Sequence, residues 1–268
     1  MTEPTAGGEG PEPSVSDTWQ EVRDGESRAR VLMRADGLQY AKLVARECTA
    51  ELLAERDRCA WAHAHGIPGP TVLTWHANES GARLVTSAVP GVPAHQIDAE
   101  RAPTLWPNII DAVGELHGKD VADCPFDRGT ERMLTLASDV VAREAVDPSF
   151  LRPEQRTSTP RELLDDLERQ HPLRRLQEQS DRVVCHGDLC LPNIMVDPVT
   201  LDVLGFVDLG RLGVADRHAD LSLLLANAGD TWPGHSQALT EMLMARYGRP
   251  VDVDRLEFHL HLDPLTWG

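Results

Sequence analysis

Long apolar runs are missing from this 268-residue sequence. No uncharged stretch approaches the ~18 residues that a membrane-spanning helix requires, and no charged-then-apolar leader opens the chain. The expectation is a soluble, cytoplasmic protein without a membrane partner. Cysteine is sparse: Cys48, Cys59, Cys124, Cys185 and Cys190 are odd in number and lack dense even spacing, which argues for reduced, buried thiols rather than a disulfide framework. Cys185, His186 and Cys190 suggest zinc, but no second ligand pair stands at finger-like spacing, so metal ligation by thiols is set aside. Basic residues are also scarce. With 26 Lys and Arg against 43 Asp and Glu, the formal charge of −17 repels nucleic-acid phosphate and anionic membranes and attracts cations. A polycationic ligand suits that balance, although solubility alone accounts for it equally well.

The length predicts one protein of two lobes. Residues 1–16 hold almost no large apolar side chain and are expected to be a disordered tail. Residues 17–89 read as a small, β-rich N-terminal lobe, with strand-like runs at Arg30–Met33, Leu38–Leu43, Thr71–Trp75 and Arg83–Thr86, interrupted by one helix over about Arg46–His65. Val89-Pro90-Gly91-Val92-Pro93 punctuates the chain as a candidate hinge. Residues 90–268 read as a larger, mainly helical lobe, with helical spacing at Leu105–Leu116, Met133–Ala145, Arg161–Gln170, Ala219–Ala228 and Gln237–Tyr247. Within it, Asn193–Val196 and Val203–Val207 flank an Asp-Pro turn at Asp197-Pro198 and predict a hairpin. The fold class is therefore α+β, and no internal repeat is visible.

The most informative stretch is Cys185-His186-Gly187-Asp188-Leu189-Cys190-Leu191-Pro192-Asn193, followed after a gap by Asp208-Leu209-Gly210. This is the kinase pattern of a catalytic loop and then a metal-binding loop: one acid positions the acceptor hydroxyl, while an Asn and a second acid hold magnesium. Asp188, Asn193 and Asp208 match the three roles. The hairpin between them returns both metal ligands to one edge, and two oxygen donors suffice for Mg2+ when ATP phosphates and water complete the octahedron. Lys42, in a strand, is placed to reach the nucleotide phosphates, and a helical Glu is expected to hold it. Glu51 and Glu55 share one helix face, so periodicity does not choose between them. Asp24-Gly25-Glu26-Ser27 stands where kinases place a loop over the phosphates; Ser27 is a candidate phosphate contact, and an ordinary hairpin turn is the alternative.

A protein kinase needs a long segment after D-x-G and an Arg in its catalytic loop that senses phosphorylation. Here Gly187 stands where that Arg would be, and the metal loop leads quickly into Leu221-Ser222-Leu223-Leu224-Leu225. The expectation is a constitutively ready, protein-kinase-like enzyme with a small hydroxyl compound as acceptor and no obligatory protein partner.

His186-Gly187-Asp188, Pro192-Asn193-Ile194 and the run from Asp208 to Arg217 resemble the aminoglycoside phosphotransferase family. Glu55-Arg56-Asp57-Arg58, Val89–Pro93, Cys124-Pro125-Phe126 and Leu262–Gly268 look like its streptomycin 3''-phosphotransferase branch, and the likeness covers about Trp19 to Gly268. The resemblance implies Asp188 as catalytic base, Asn193 and Asp208 as magnesium ligands, Lys42 on the ATP phosphates and Glu55, rather than Glu51, as its partner. It also implies that the acceptor, streptomycin, lies in an acidic cleft, with Asp216, Asp220 and Asp263 as candidate contacts; Asp216 and Asp220 have a bracing role as their alternative. Phosphorylation of another hydroxyl metabolite or cationic antibiotic is the rival enzyme reading. A nucleotide-binding pseudokinase is the rival from another class, disfavoured because Lys42, Asp188, Asn193 and Asp208 are all intact.

Overall fold

The structure is a computed structural model, and it describes residues 19–22 and 29–268. Two expectations, the tail at 1–16 and the contact at Ser27, lie outside the described residues. The chain divides into two compact units, Met1–Val89 and Pro90–Gly268.

The first unit is built on an antiparallel sheet of β1 (Trp19–Val22), β2 (Arg30–Arg34), β3 (Gln39–Ala45), β4 (Val72–Asn78) and β5 (Gly81–Ser87), in the order β1-β2-β3-β5-β4. Helix α1 (Thr49–Ala64) packs on β3, β4 and β5. Period-two alternation gives the sheet two apolar faces. Ala82 and Leu84 meet Leu52 of α1, with Val44, Val72 and Trp75 around them. Leu32, Ala41 and Val85 cluster separately with Trp19 and Leu43. Lys42 is two residues from Val44, and so shares the face that α1 covers.

The second unit begins with the short strand β6 (Val92–Pro93) and continues through α2 (Ala102–His117), α3 (Thr130–Ala142), α4 (Pro160–Glu178), β7 (Arg182–Cys185), β8 (Ile194–Val196), β9 (Val203–Phe206), β10 (Gly213–Asp216), α5 (His218–Thr231), α6 (Ser236–Arg246) and α7 (Val253–Leu262). Strands β6, β8 and β9 form one small sheet and β7 pairs with β10 in another, all antiparallel. Helix α2 is the most deeply sunk, with Leu105, Trp106, Ile109, Ile110, Val113 and Leu116 all buried. Its Trp106 donates Nε1–H to the Leu239 carbonyl at 2.8 Å, which satisfies the indole that burial removes from water. Met133, Leu134, Leu164, Leu167, Phe258, Leu262 and Leu265 form a second core; truncating the fully buried Leu164 to Ala would cost about 2–5 kcal/mol.

Four elements differ from the sequence expectation. Helix α4 begins with a capping box, in which Thr159 Oγ1 accepts from the Glu162 amide and Glu162 accepts from the Thr159 amide, and runs to Glu178 rather than ending near Gln170. Its last turns carry Pro172 and the exposed Leu173 and Leu176, so periodicity gives no apolar stripe to follow there. Helix α7 was not expected: His259, His261 and several charged residues dilute its pattern, although Asp252 caps it by accepting from the Arg255 amide. Strands β7 and β10 are short and buried throughout apart from Arg182, which hides the alternation that marks a half-exposed strand.

Candidate active site

Two pairs of strands fix where the chemistry-bearing loops meet. Cys185, the last residue of β7, pairs with Gly213, the first of β10. Ile194, the first of β8, pairs with Phe206, the last of β9. The loop 186–193 from β7 to β8 and the loop 207–212 from β9 to β10 therefore span the same two ladders side by side. His186 stitches them: its Nε2–H donates to the Val207 carbonyl at 2.9 Å, and its Nδ1 accepts from the Asp188 amide at 3.2 Å. The Val207 amide in turn donates to the Asn193 carbonyl at 2.9 Å.

Asp188, Asn193 and Asp208 come together in this arrangement. Asn193 Nδ2 donates to the Asp188 carbonyl at 2.9 Å and to its Oδ2 at 3.1 Å. Asp208 is exposed and adopts a left-handed conformation, φ 59 and ψ 54, a strain that Asp tolerates better than most residues. Burial raises the Asp188 carboxyl above the ordinary carboxylate range. His186 and Arg211 oppose that shift, and the negative charges of Asp263 and Asp208 add to it. The set is rich in hard oxygen donors under like-charge pressure, which a divalent cation relieves.

In the first unit, Lys42 Nζ donates to Glu55 Oε1 at 2.7 Å. Strand alternation turns Lys42 toward α1, and Glu55, three residues beyond the buried Leu52, lies on the helix face that meets the sheet. Glu51 is exposed.

Asp216 and Asp220, offered as acceptor contacts by the resemblance, are 1% and 0% exposed, so neither presents an oxygen to a bound molecule. Their bracing role is the one that the geometry supports. Asp220 accepts from the amides of His186 at 2.7 Å and Gly187 at 2.8 Å, and faces His117 Nε2 at 3.1 Å; His117 Nδ1 meets the Tyr247 hydroxyl at 2.6 Å. Asp216 accepts from His218 Nδ1 at 2.8 Å and from Arg255 Nε at 3.0 Å. Arg255 continues to Asp181 at 2.6 Å, and Arg217 pairs with Asp181 as well.

Asp263 is half-buried and already engaged. Its Oδ1 accepts from Arg211 at 3.2 Å and lies 4.0 Å from Arg128; its Oδ2 accepts from Trp267 Nε1 at 3.0 Å. Arg211 stacks on the Trp267 ring at 3.8 Å and donates to Thr266 Oγ1 at 2.6 Å. Burial, helped by neighbouring Arg211, lowers the Arg128 guanidinium to about 9. Sequence reasoning gave no role to Arg128, Arg211, His117 or Trp267. Arg211 and Trp267 fall inside segments that carry the family resemblance, whereas Arg128 follows Cys124-Pro125-Phe126 in a loop without a local motif.

Cys190 is not poised as a nucleophile. Burial first, then the charge of Asp188, pushes its thiol up to about 12. Among the described residues, one group has ligand atoms close enough to share a metal: His117, Cys185 and Asp220. Burial holds the Cys185 thiol protonated, and the Asp220 oxygens are spent on the brace.

The pattern of the phosphotransferase enzyme family matches residues 18–259. The streptomycin 3''-kinase of Streptomyces griseus is 54% identical over 256 residues, 95% of this chain and 94% of that one. The chain belongs to the aminoglycoside phosphotransferase family. A second family member, the aminoglycoside 3'-phosphotransferase of Streptomyces fradiae, is 39% identical over 91% of this chain and 94% of its own. Among solved structures, the phosphotransferase APH(3'')-Id of Streptomyces rimosus in complex with ADP and streptomycin superposes with a TM-score of 0.89 at 50% identity, covering 95% of each chain. The fold is thus the kinase-like one of this phosphotransferase family, an antiparallel sheet in the first unit and a helical second unit.

Proposed function

We propose that this phosphotransferase transfers the γ-phosphoryl group of ATP to the 3''-hydroxyl of streptomycin, inactivating the drug. Carrying the reading is the 54% identity to streptomycin 3''-kinase along nearly the whole of both chains. Residues 17–89 take the nucleotide-binding role and residues 90–268 the catalytic and acceptor-binding role.

The new bond joins the acceptor oxygen to phosphorus as the bond to the leaving ADP oxygen breaks. Asp188 orients the 3''-hydroxyl and takes its proton. Asn193 fixes that carboxylate through its contact with Oδ2. Asn193 and Asp208 would hold Mg2+, which when bound offsets phosphate charge. Lys42, aimed by Glu55, presents its ammonium to the nucleotide phosphates. Catalysis on this account is positioning and electrostatics rather than covalent chemistry. The acidic balance of the chain favours a polycationic acceptor over nucleic acid or membrane, and use of a cellular nucleotide supports a cytoplasmic enzyme.

Likeness to the aminoglycoside 3'-phosphotransferase of Streptomyces fradiae, at 39% identity, supports a second reading with another aminoglycoside as acceptor. ADP release with purified protein, MgATP and a panel of streptomycin, kanamycin, hygromycin and viomycin separates the two. Turnover with streptomycin alone, giving a product heavier by one phosphoryl group, is expected. Turnover of another member in its place rejects the acceptor, and silence across the panel rejects the activity.

A further inference from the structure

The protein-kinase pattern carries an Arg beside the catalytic acid, and in many kinases that Arg is satisfied by a phosphorylated residue that orders the loops. Gly187 occupies the position here, at φ +83, a conformation that L side chains rarely adopt. The space is taken from two sides. A Cβ at 187 would run into the Arg211 carbonyl oxygen, and would lie 2.6 Å from Arg128 Nε and 2.8 Å from its Cδ. Arg128 arrives from the segment ahead of α3, where its amide donates to the Val214 carbonyl at 2.9 Å, and lays its guanidinium against the catalytic loop. Its side chain is 13% exposed, and the carboxylate within ion-pairing reach is Asp263, at 4.0 Å.

That carboxylate also holds Arg211, which stands three residues after Asp208 in the metal loop. Two nearly buried guanidinium groups, one lying against the catalytic loop and one in the metal loop, thus converge on a single acid from the C-terminal turn 263–266. Without an anion between them they would repel each other and remain uncompensated, which is destabilising where water is largely excluded. Trp267 orients the acid from its other oxygen at 3.0 Å, so Asp263 needs no external cation to be satisfied.

The geometry points to Asp263 as a positioning residue: by holding Arg128 over the catalytic loop and Arg211 on the metal loop, it supplies permanently the anion that phosphorylation supplies to a protein kinase. This rests on the phosphotransferase reading above and gives its constitutive readiness a physical origin. It also takes Asp263 out of direct acceptor recognition.

Asp263→Asn tests the inference, because it keeps the shape and removes the charge. Turnover at saturating substrates should fall about tenfold or more, while the streptomycin Kd, measured by calorimetry with MgADP present, stays within about threefold. Amide hydrogen exchange over residues 186–193 and 207–212 should quicken in the same variant, a readout that does not depend on turnover. The double variant Asp263→Asn with Arg128→Gln should be no worse than the poorer single variant, since the pair acts as one unit. A Kd weakened about tenfold with kcat retained would make Asp263 an acceptor ligand and overturn the inference; unchanged exchange in both loops would overturn it too. Should Asp263→Asn not fold, Arg128→Lys is expected to give the same kcat loss with Kd preserved, and the reverse split counts against the proposal. Absence of turnover by the unaltered protein with any aminoglycoside would instead strike the phosphotransferase reading, leaving the exchange result to decide the role of Asp263.

Discussion

Asn193 donates its side-chain amide to both the backbone carbonyl and the carboxylate of Asp188, at 2.9 and 3.1 Å. One residue thus closes the catalytic loop on itself and fixes the acid within it. The link follows from a five-residue separation and a tight turn at Leu191-Pro192-Asn193, and it adds a local constraint on the proposed base to the brace that Asp220 gives the same loop.

Replacing Asp188 by Ala should lower kcat by about 10²–10⁴, the usual contribution of a positioned general base. ADP affinity, measured by calorimetry, should stay close to that of the unaltered protein, since the nucleotide is assigned to other residues. Near-normal turnover would remove Asp188 from the base role.

Glu55→Gln should weaken nucleotide binding. The contact with Lys42 is short, at 2.7 Å, and both side chains are largely shielded, at 22% and 15% exposed. A charge-assisted hydrogen bond of this kind contributes about 1.5–3 kcal/mol, so an ATP KM raised roughly 10- to 100-fold is expected. The streptomycin KM should change little, and Glu51→Gln should change neither.

Acid should destabilise the fold in two stages. Burial lowers the folded pKa of His218 despite its Asp216 contact, so the unfolded chain takes up a proton first, near the ordinary His value of about 6.5. Stability is complete above that pH and declines below it. For Asp216, burial raises the carboxyl, but the hydrogen bond from His218 and the approach of His259, at 3.5 Å, outweigh it and hold the group well below the usual range. Its contribution is present above the unfolded value of about 3.9 and is lost as pH falls toward the depressed one. Urea unfolding between pH 8 and 4 should show a falling midpoint, with a shallower slope below pH 6.5 in His218→Asn. A flat profile would contradict the buried, neutral His218.

Cys190 should resist alkylation in the folded protein. A thiol pushed up to about 12 is almost wholly protonated at pH 8, and the thiolate is the reactive form. Iodoacetamide labelling, followed by peptide mass analysis, should mark Cys190 slowly in buffer and rapidly in urea; fast labelling in buffer would contradict the burial.

The sequence carried the catalytic centre because its residues lie in two short segments whose spacing is dictated by one hairpin. Asp188, Asn193 and Asp208 could be placed together by counting, and Lys42 could be placed by its strand. Glu55 needed the family resemblance, since Glu51 lies on the same helix face and only the tertiary contact with Lys42 separates them. Asp216 and Asp220 illustrate the opposite case. Their closeness to the metal loop in sequence gives no hint that both point inward, because burial depends on partners, His117, Asp181 and Arg255, that arrive from remote segments. Arg128 is separated from Gly187 by two whole helices and a strand, and no periodicity links them. Helix α7 and the end of α4 were missed for a simpler reason: polar and exposed side chains blur the apolar stripe on which helix recognition depends.

The most direct measurement of the central claim is the position of the phosphoryl group in the product formed from streptomycin and MgATP, read by phosphorus–proton correlation in nuclear magnetic resonance. The account predicts a single product with phosphorus coupled to the proton at carbon 3''. Coupling at another carbon, or no phosphorylated product under conditions in which the protein is folded and binds nucleotide, would contradict it.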